Sequence, residues 1–238
     1  MSEPFRFKQF TVQQDQCAMK IGTDGVLLGA WVSLENRPDR ILDIGSGTGL
    51  IALQLAQRSA AETIDAVEID DNAHAQCVEN FENSPWGDRL FCYHASIQEF
   101  ASEIDENYDL IVSNPPFYSE DYKTDDPSRD KARFNESLPF DHLVVCASHL
   151  LSEKGVFALI LPLKETEAVI VQAVNHDLFL KRICRVRGTP ESEIKRCLLE
   201  FSTVKPVMLK EETLTIETDR HNYTPAYKEL VQDFYLKM

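Results

Sequence analysis

The segment that most limits how this chain can fold is Arg40-Ile-Leu-Asp-Ile44, a short apolar run that gives way at once to Gly45-Ser-Gly47-Thr-Gly49. An apolar run bounded by glycines predicts a buried strand, and the spacing over residues 49–58 predicts a helix directly after it. A strand that turns into a helix within a few residues opens a βαβ unit. The alternation recurs. Thr63–Ile69, Leu90–His94, Tyr108–Ser113 and Val156–Pro162 predict strands, while Asn72–Asn83, Pro139–Leu151 and Glu165–Asn175 predict helices, Gly155 closing the second. Such alternation implies an α/β fold with a mostly parallel sheet.

The remaining segments fit around that sheet. Phe179–Val186 and Arg196–Thr203 alternate with no helix between them and are expected to pair antiparallel at the far edge. Pro225–Met238 predicts a terminal helix, and residues 5–12 and 24–35 predict short strands and a helix ahead of the first strand. Residues 118–136 are polar and almost free of aliphatic side chains, which predicts a mobile loop.

The 238 residues suffice for a core that needs no disulfide or metal staple. A formal charge of −15, from 24 Lys+Arg against 39 Asp+Glu, argues at first against a phosphate-rich partner. The charge is unevenly spread, however. Residues 62–109 carry thirteen acids and one base, whereas residues 181–210 carry eight bases and three acids. The molecule's field therefore has two ends. The six cysteines form no CxxC pair, the N-terminus lacks an apolar signal region, and no run approaches a membrane span. These features predict a cytoplasmic protein with reduced thiols. His142, Cys146 and His149 share a helical face but have no fourth ligand nearby, so no metal is expected.

The glycine loop carries chemistry. The helix that follows it offers free N–H groups, and Glu68 ends the next strand, nineteen residues beyond Gly49, where a carboxylate can accept both hydrogen bonds of a ribose diol. Gly47-Thr-Gly49-Leu-Ile-Ala52 fits GxGxxA, so a dinucleotide is one candidate. Asp43, two residues before the first glycine, would repel a pyrophosphate but suits an ammonium group. The Asp-x-Gly-x-Gly-x-Gly segment with Glu68 resembles the cofactor motif of class I S-adenosylmethionine-dependent methyltransferases. That resemblance implies a Rossmann-like, mostly parallel seven-stranded sheet with an antiparallel edge strand and helices on both faces. It also implies that Gly45, Gly47 and Gly49 border the methionine part, Glu68 holds the ribose, and Ile69 and Ile97 sandwich the adenine. Ser96 stands where the family often has an aspartate on the adenine amine.

Asn114-Pro115-Pro116-Phe117 follows the fourth strand, at the end of the sheet where open α/β folds bind ligands. An exocyclic amine on a planar base or amide is a poor nucleophile because its lone pair is delocalised. Two acceptors, the Asn114 side-chain oxygen and the Pro115 carbonyl, can hold its N–H groups and favour a pyramidal nitrogen. Phe117 offers a stacking face. The motif resembles that of amino-methyltransferases acting on adenine N6, guanine N2 or glutamine N5. It names the nitrogen chemistry and not the substrate.

Phe5-Arg-Phe-Lys-Gln-Phe10, then Met19-Lys-Ile-Gly-Thr-Asp-Gly-Val-Leu-Leu-Gly-Ala-Trp31, then Asn114–Phe117 and the ending Tyr223–Met238 together resemble the bacterial tRNA1(Val) (adenine(37)-N6)-methyltransferases over essentially the whole chain. The resemblance implies one methyltransferase domain, with residues 1–36 a cap over the cofactor and residues 37–238 the catalytic core. It places Lys20, Thr23 and Asp24 near the methionine end of S-adenosylmethionine, counts Asn114 among the cofactor contacts as well as the catalytic residues, and makes tRNA the partner. Arg129, Lys131 and Arg133 in the 118–136 loop, and Lys181, Arg182, Arg185 and Arg187, are the candidate phosphate contacts. The competing readings are a guanine-N2 or glutamine-N5 enzyme, a non-catalytic RNA- or cofactor-binding module, and a nicotinamide dehydrogenase, for which no Tyr-x-x-x-Lys pair is recognisable.

Overall fold

The computed structural model describes residues 3–116 and 139–238. The chain opens with β1 (Phe5–Arg6), β2 (Thr11–Val12) and α1 (Thr23–Trp31). Three β–α steps and a fourth strand follow: β3 (Arg40–Ile44), α2 (Leu50–Arg58), β4 (Thr63–Glu68), α3 (Asp71–Glu82), β5 (Leu90–His94), α4 (Ile97–Glu103) and β6 (Tyr108–Ser113). Beyond the undescribed residues come α5 (Phe140–Leu150), β7 (Leu151–Pro162), α6 (Leu163–Asn175), β8 (Phe179–Arg187), β9 (Ile194–Ser202) and β10 (Lys210–Thr215). A small hairpin, β11 (Glu217–Asp219) and β12 (Asn222–Tyr223), leads to α7 (Pro225–Val231).

Eight of the described strands form one sheet in the order β10-β8-β9-β7-β6-β3-β4-β5. The α/β class and the mostly parallel sheet agree with the sequence expectation; four details differ. The antiparallel strand is β9, which lies two positions in from the edge, between β7 and β8. The edge beyond β8 is closed by β10, running parallel to it, so the sheet has eight strands and not seven. Gly155 does not close a helix: α5 ends at Leu150 and Gly155 lies within β7, where an added Cβ would meet the Leu151 side chain and the Tyr108 carbonyl. The terminal helix also stops at Val231, short of Met238.

Strand residues alternate between two cores. Ile41, Ile64, Leu110 and Val112 pack under α1, α2, α3 and α7. Leu42, Ile44, Val67 and Ile111 pack under α4, α5 and α6. Central strands buried on both faces explain why the sequence shows continuous apolar runs here. The alternation also fixes Asp43: it follows Leu42 and precedes Ile44, so it points with Ile41 toward the α1–α2 face.

Candidate active site

Three strand ends are tied together at one end of the sheet. The Ser113 hydroxyl, at the end of β6, donates to the Ile44 carbonyl at the end of β3 (2.9 Å). The Gly45 and Ser46 amides donate to Val67 of β4 at 2.9 and 3.2 Å. The glycine loop and Asn114 are thereby held side by side. Gly45, Gly47 and Gly49 have φ of +70°, +54° and +77°, conformations that other residues adopt only with strain. A Cβ added at Gly45 or Gly47 would meet nothing within 4 Å, so the loop borders open space. A Cβ at Gly49 would instead run into the Phe81 ring at 2.5 Å and the Cys77 sulfur at 2.9 Å.

Asp43 is fully buried below this loop. Its Oδ2 accepts from the Ala52 amide in the first turn of α2 (3.2 Å), while Oδ1 is buried without a partner. Burial pushes its pKa up to about 7; the Ala52 amide opposes the shift and the charge of Glu68 adds to it. A buried, unpartnered carboxylate oxygen beside open glycine backbone fits a cationic ligand group. Glu68 is oriented by three amides. Its Oε2 accepts from Gly47 (2.7 Å), and its Oε1 accepts from Ile69 and Asp70 (both 2.9 Å). Asp70 in turn caps α3 by accepting from the Ala73 amide (2.8 Å).

Asn114 is half-buried and Pro115 is buried. The first turn of α1 approaches this point: a Cβ on Gly25 would lie 3.8 Å from Asn114 Nδ2 and 3.2 Å from Leu50 Cδ2. Asp24, next to it, is ion-paired to Arg196 Nε of β9 at 2.7 Å, while Lys20 and Thr23 are exposed. The structure therefore brings Asp24, Asp43, Gly45, Gly47, Gly49, Glu68 and Asn114 to one end of the sheet. Phe117, Arg129, Lys131, Arg133 and the expected 118–136 loop lie outside the described residues.

Two groups of expected contacts sit differently from a simple reading of the sequence. Ser96 is the N-cap of α4: its hydroxyl accepts from the Glu99 amide and donates to the Glu99 carboxylate. The hydroxyl is thus committed to a capping box, signalled by Ser-x-x-Glu at 96–99. Ile69 is 57% exposed, whereas Ile97 is buried in the core under α4. In the basic stretch, Arg182 lies over the Trp31 ring and is hydrogen-bonded to Glu212, the Trp31 carbonyl and Glu200. Arg185 pairs with Glu211, and Arg187 bonds Thr215 and the Pro190 carbonyl. Three of the four candidate phosphate contacts there have partners within the protein. Lys181 makes no ion pair among the described residues.

One part of the site was not visible from motifs. Residues 13–21 run along α3, held by the buried amides of Gln76 and Asn80. The signal was there: Ala73, Gln76, Cys77, Asn80 and Phe81 form the buried stripe of α3, and two of the five are polar.

A glycine loop over a buried acid, a glutamate on the next strand hydrogen-bonded to that loop and an Asn-Pro-Pro turn on the adjacent strand define a class I S-adenosylmethionine-dependent methyltransferase. Residues 23–130 match the family described as "Methyltransferase small domain". The fold is that of a structure described as a predicted O-methyltransferase from Agrobacterium tumefaciens, at a TM-score of 0.69 and 19% identity, covering 89% of this chain and 96% of that one. Two tRNA1(Val) (adenine(37)-N6)-methyltransferases are far closer in sequence. That of Christiangramia forsetii is 61% identical over 100% of this chain and 99% of its own length, and that of Flavobacterium johnsoniae is 57% identical over 98% and 100%. The chain belongs to the tRNA1(Val) (adenine(37)-N6)-methyltransferase family.

Proposed function

We propose that this protein methylates N6 of an adenosine in tRNA, the adenosine 37 of tRNA1(Val) named for its relatives, with S-adenosylmethionine as donor. The observation that carries the chemistry is the Ser113–Ile44 hydrogen bond, which sets Asn114 and Pro115 beside the glycine loop. Bound S-adenosylmethionine supplies an electrophilic methyl group on a sulfonium. Asp43 would face its cationic end, the glycine loop would border the methionine part, and Glu68 would take the ribose diol. The Asn114 oxygen and the Pro115 carbonyl hold the two N–H groups of the adenine amine, localise its lone pair and gain strength as positive charge grows on nitrogen. No base is needed before attack, because the proton is lost afterwards. An anticodon-loop base is already unpaired, so its presentation costs less than flipping from a duplex.

The free state of all six cysteines supports a reducing compartment, and among the described residues no helix is long and apolar enough to cross a membrane. We read the cytoplasm as its location and residues 1–36 as a cap on one catalytic domain. The deciding experiment is methylation of a bulk tRNA pool with labelled cofactor, followed by nucleoside mass spectrometry and mapping. Label in N6-methyladenosine of a valine tRNA is expected. Label in N2-methylguanosine, or in protein, overturns the proposal.

A further inference from the structure

Residues 13–21, between β2 and α1, contain no helix or strand, yet they are pinned at two points. Asn80 uses every polar group it has. Its Oδ1 accepts from the Gln13 amide (2.7 Å), and its Nδ2 donates to the Gln13 carbonyl and to the Thr48 carbonyl of the glycine loop (both 2.9 Å). One side chain therefore grips both backbone groups of Gln13, as a strand neighbour would, and joins Gln13 to the loop between Gly47 and Gly49. One helical turn earlier, Gln76 Oε1 accepts from the Gln16 amide (2.8 Å). Both amide side chains are buried, with Gln76 fully covered and Asn80 1% exposed. The Gln14 side chain accepts from the Ile21 amide (3.0 Å), which draws the segment's far end back toward its start.

The segment runs past the site. Cys17 is half-buried near Glu68 and Asp70, and burial together with those two charges pushes its thiol up to about 12. Residue 22 then leads into α1, whose Gly25 approaches Asn114. The strap thus starts at the glycine loop, passes the ribose-facing acid and ends at the catalytic turn.

We propose that Asn80 and Gln76 form a latch that holds residues 13–21 over the glycine loop, and that this latch is a determinant of cofactor affinity. Both are positioning residues: neither touches a reacting atom. A segment with so few backbone hydrogen bonds opens easily, and a closed segment must be ordered before or upon binding. Ordering it in advance removes that cost from the binding step. The latch should therefore change the cofactor's affinity and KM and leave kcat largely untouched.

The inference rests on the methyl-donor reading of the glycine loop. Its test measures binding of S-adenosylhomocysteine by calorimetry and hydrogen exchange of residues 13–21 in wild type, Asn80→Ala and Gln76→Leu. Gln76→Leu keeps the volume and leaves the Asn80–Thr48 bond intact, so it loosens the strap without removing a support of the loop. Both variants are expected to exchange faster over 13–21 and to bind at least about tenfold more weakly, through the loss of one strap hydrogen bond in Gln76→Leu and three side-chain hydrogen bonds in Asn80→Ala. The KM for S-adenosylmethionine should rise in parallel while kcat holds. Faster exchange with unchanged affinity in Gln76→Leu overturns the latch as a determinant of binding, and unchanged exchange in that variant overturns the latch itself. Wild-type protein that does not bind S-adenosylhomocysteine overturns the cofactor reading instead.

Discussion

The Glu68 carboxylate accepts a hydrogen bond from the Gly47 amide at 2.7 Å, so the acid proposed to take the ribose and the loop proposed to border the methionine part are one unit. The amides of Ile69 and Asp70 hold its other oxygen, at 2.9 Å each. Glu68→Gln keeps the shape but turns an NH2 toward at least one amide donor. Charge-assisted bonds of this kind contribute about 1.5–3 kcal/mol each. The variant should bind S-adenosylhomocysteine at least about tenfold more weakly by calorimetry. Wild-type affinity would show that Glu68 only shapes the loop and does not hold the ligand.

Asn114 has a different duty. Its proposed partners are the substrate's N–H groups, an interaction whose effect would grow with charge in the transition state. Asn114→Ala should lower kcat on tRNA by roughly 10²–10³, the range for losing one well-placed polar group at developing charge. Cofactor affinity should stay within about twofold, since most of the proposed cofactor contacts lie on other residues. Single-turnover assays with a parallel binding titration separate the two. Equal loss of both would move Asn114 from the reaction to the cofactor.

Asp43 makes the site sensitive to pH. Its folded-state pKa, about 7, lies above the 3.8 of an unperturbed aspartate. The neutral form is favoured in the fold, so this group's contribution to stability is full below pH 3.8 and is lost as pH rises through about 7. A cationic ligand needs the opposite charge state and must expel the proton. Affinity for S-adenosylhomocysteine should therefore climb between about pH 5.5 and 7.5, by up to about tenfold per unit at the acid end. Asp43→Asn should bind more weakly and flatten the profile. A wild-type profile already flat would remove Asp43 from the cation's side.

Arg182 separates stability from RNA binding. Its side chain is 16% exposed, and it neutralises Glu200, which is 1% exposed and whose Oε2 has no partner. Removing one partner of a buried pair costs about 3–5 kcal/mol because the other charge stays behind. Arg182→Ala should thus lower Tm by roughly 10 °C, given about 2–4 °C per kcal/mol at this size. Lys181→Ala should leave Tm alone. If the basic stretch meets tRNA, Lys181→Ala should weaken tRNA binding and reduce its salt dependence by about one counterion. Unchanged tRNA affinity in Lys181→Ala would place the RNA surface elsewhere.

What the sequence made legible follows from how local each feature is. Strands β3, β5 and β6 stand where the apolar runs place them, and the glycines sit at positive φ, because a buried strand and a tight turn are both encoded within a few residues. The edge was not legible: β10, with charges at Lys210, Glu211 and Glu212, lacks the alternation of a half-buried strand because Leu214 alone of its six residues is buried. α4 hid behind a polar, acidic composition although Ser96 and Glu99 announce its start. In the basic stretch, composition could not show that Arg182, Arg185 and Arg187 of β8 meet Glu212, Glu211 and Thr215 of the neighbouring β10, contacts set by the register of that pair. A charge count therefore overstated the cations left for phosphate.

The glycines of the loop differ in what limits them, and this gives the sharpest test of where the ligand lies. All three have positive φ, so alanine at any of them costs about 1–2 kcal/mol in backbone strain. At Gly49 the added methyl also meets the Phe81 ring and the Cys77 sulfur, both buried, and something in the core must move. At Gly47 it meets nothing of the protein. Gly49→Ala should therefore lose Tm markedly more than Gly47→Ala. Gly47→Ala should keep most of its Tm yet lose cofactor affinity well beyond its strain, because the methyl enters the space assigned to the methionine part. Calorimetric binding beside thermal unfolding of both variants decides it. A Gly47→Ala protein that binds S-adenosylhomocysteine like wild type would mean that the open space over the loop is solvent and that the cofactor lies elsewhere.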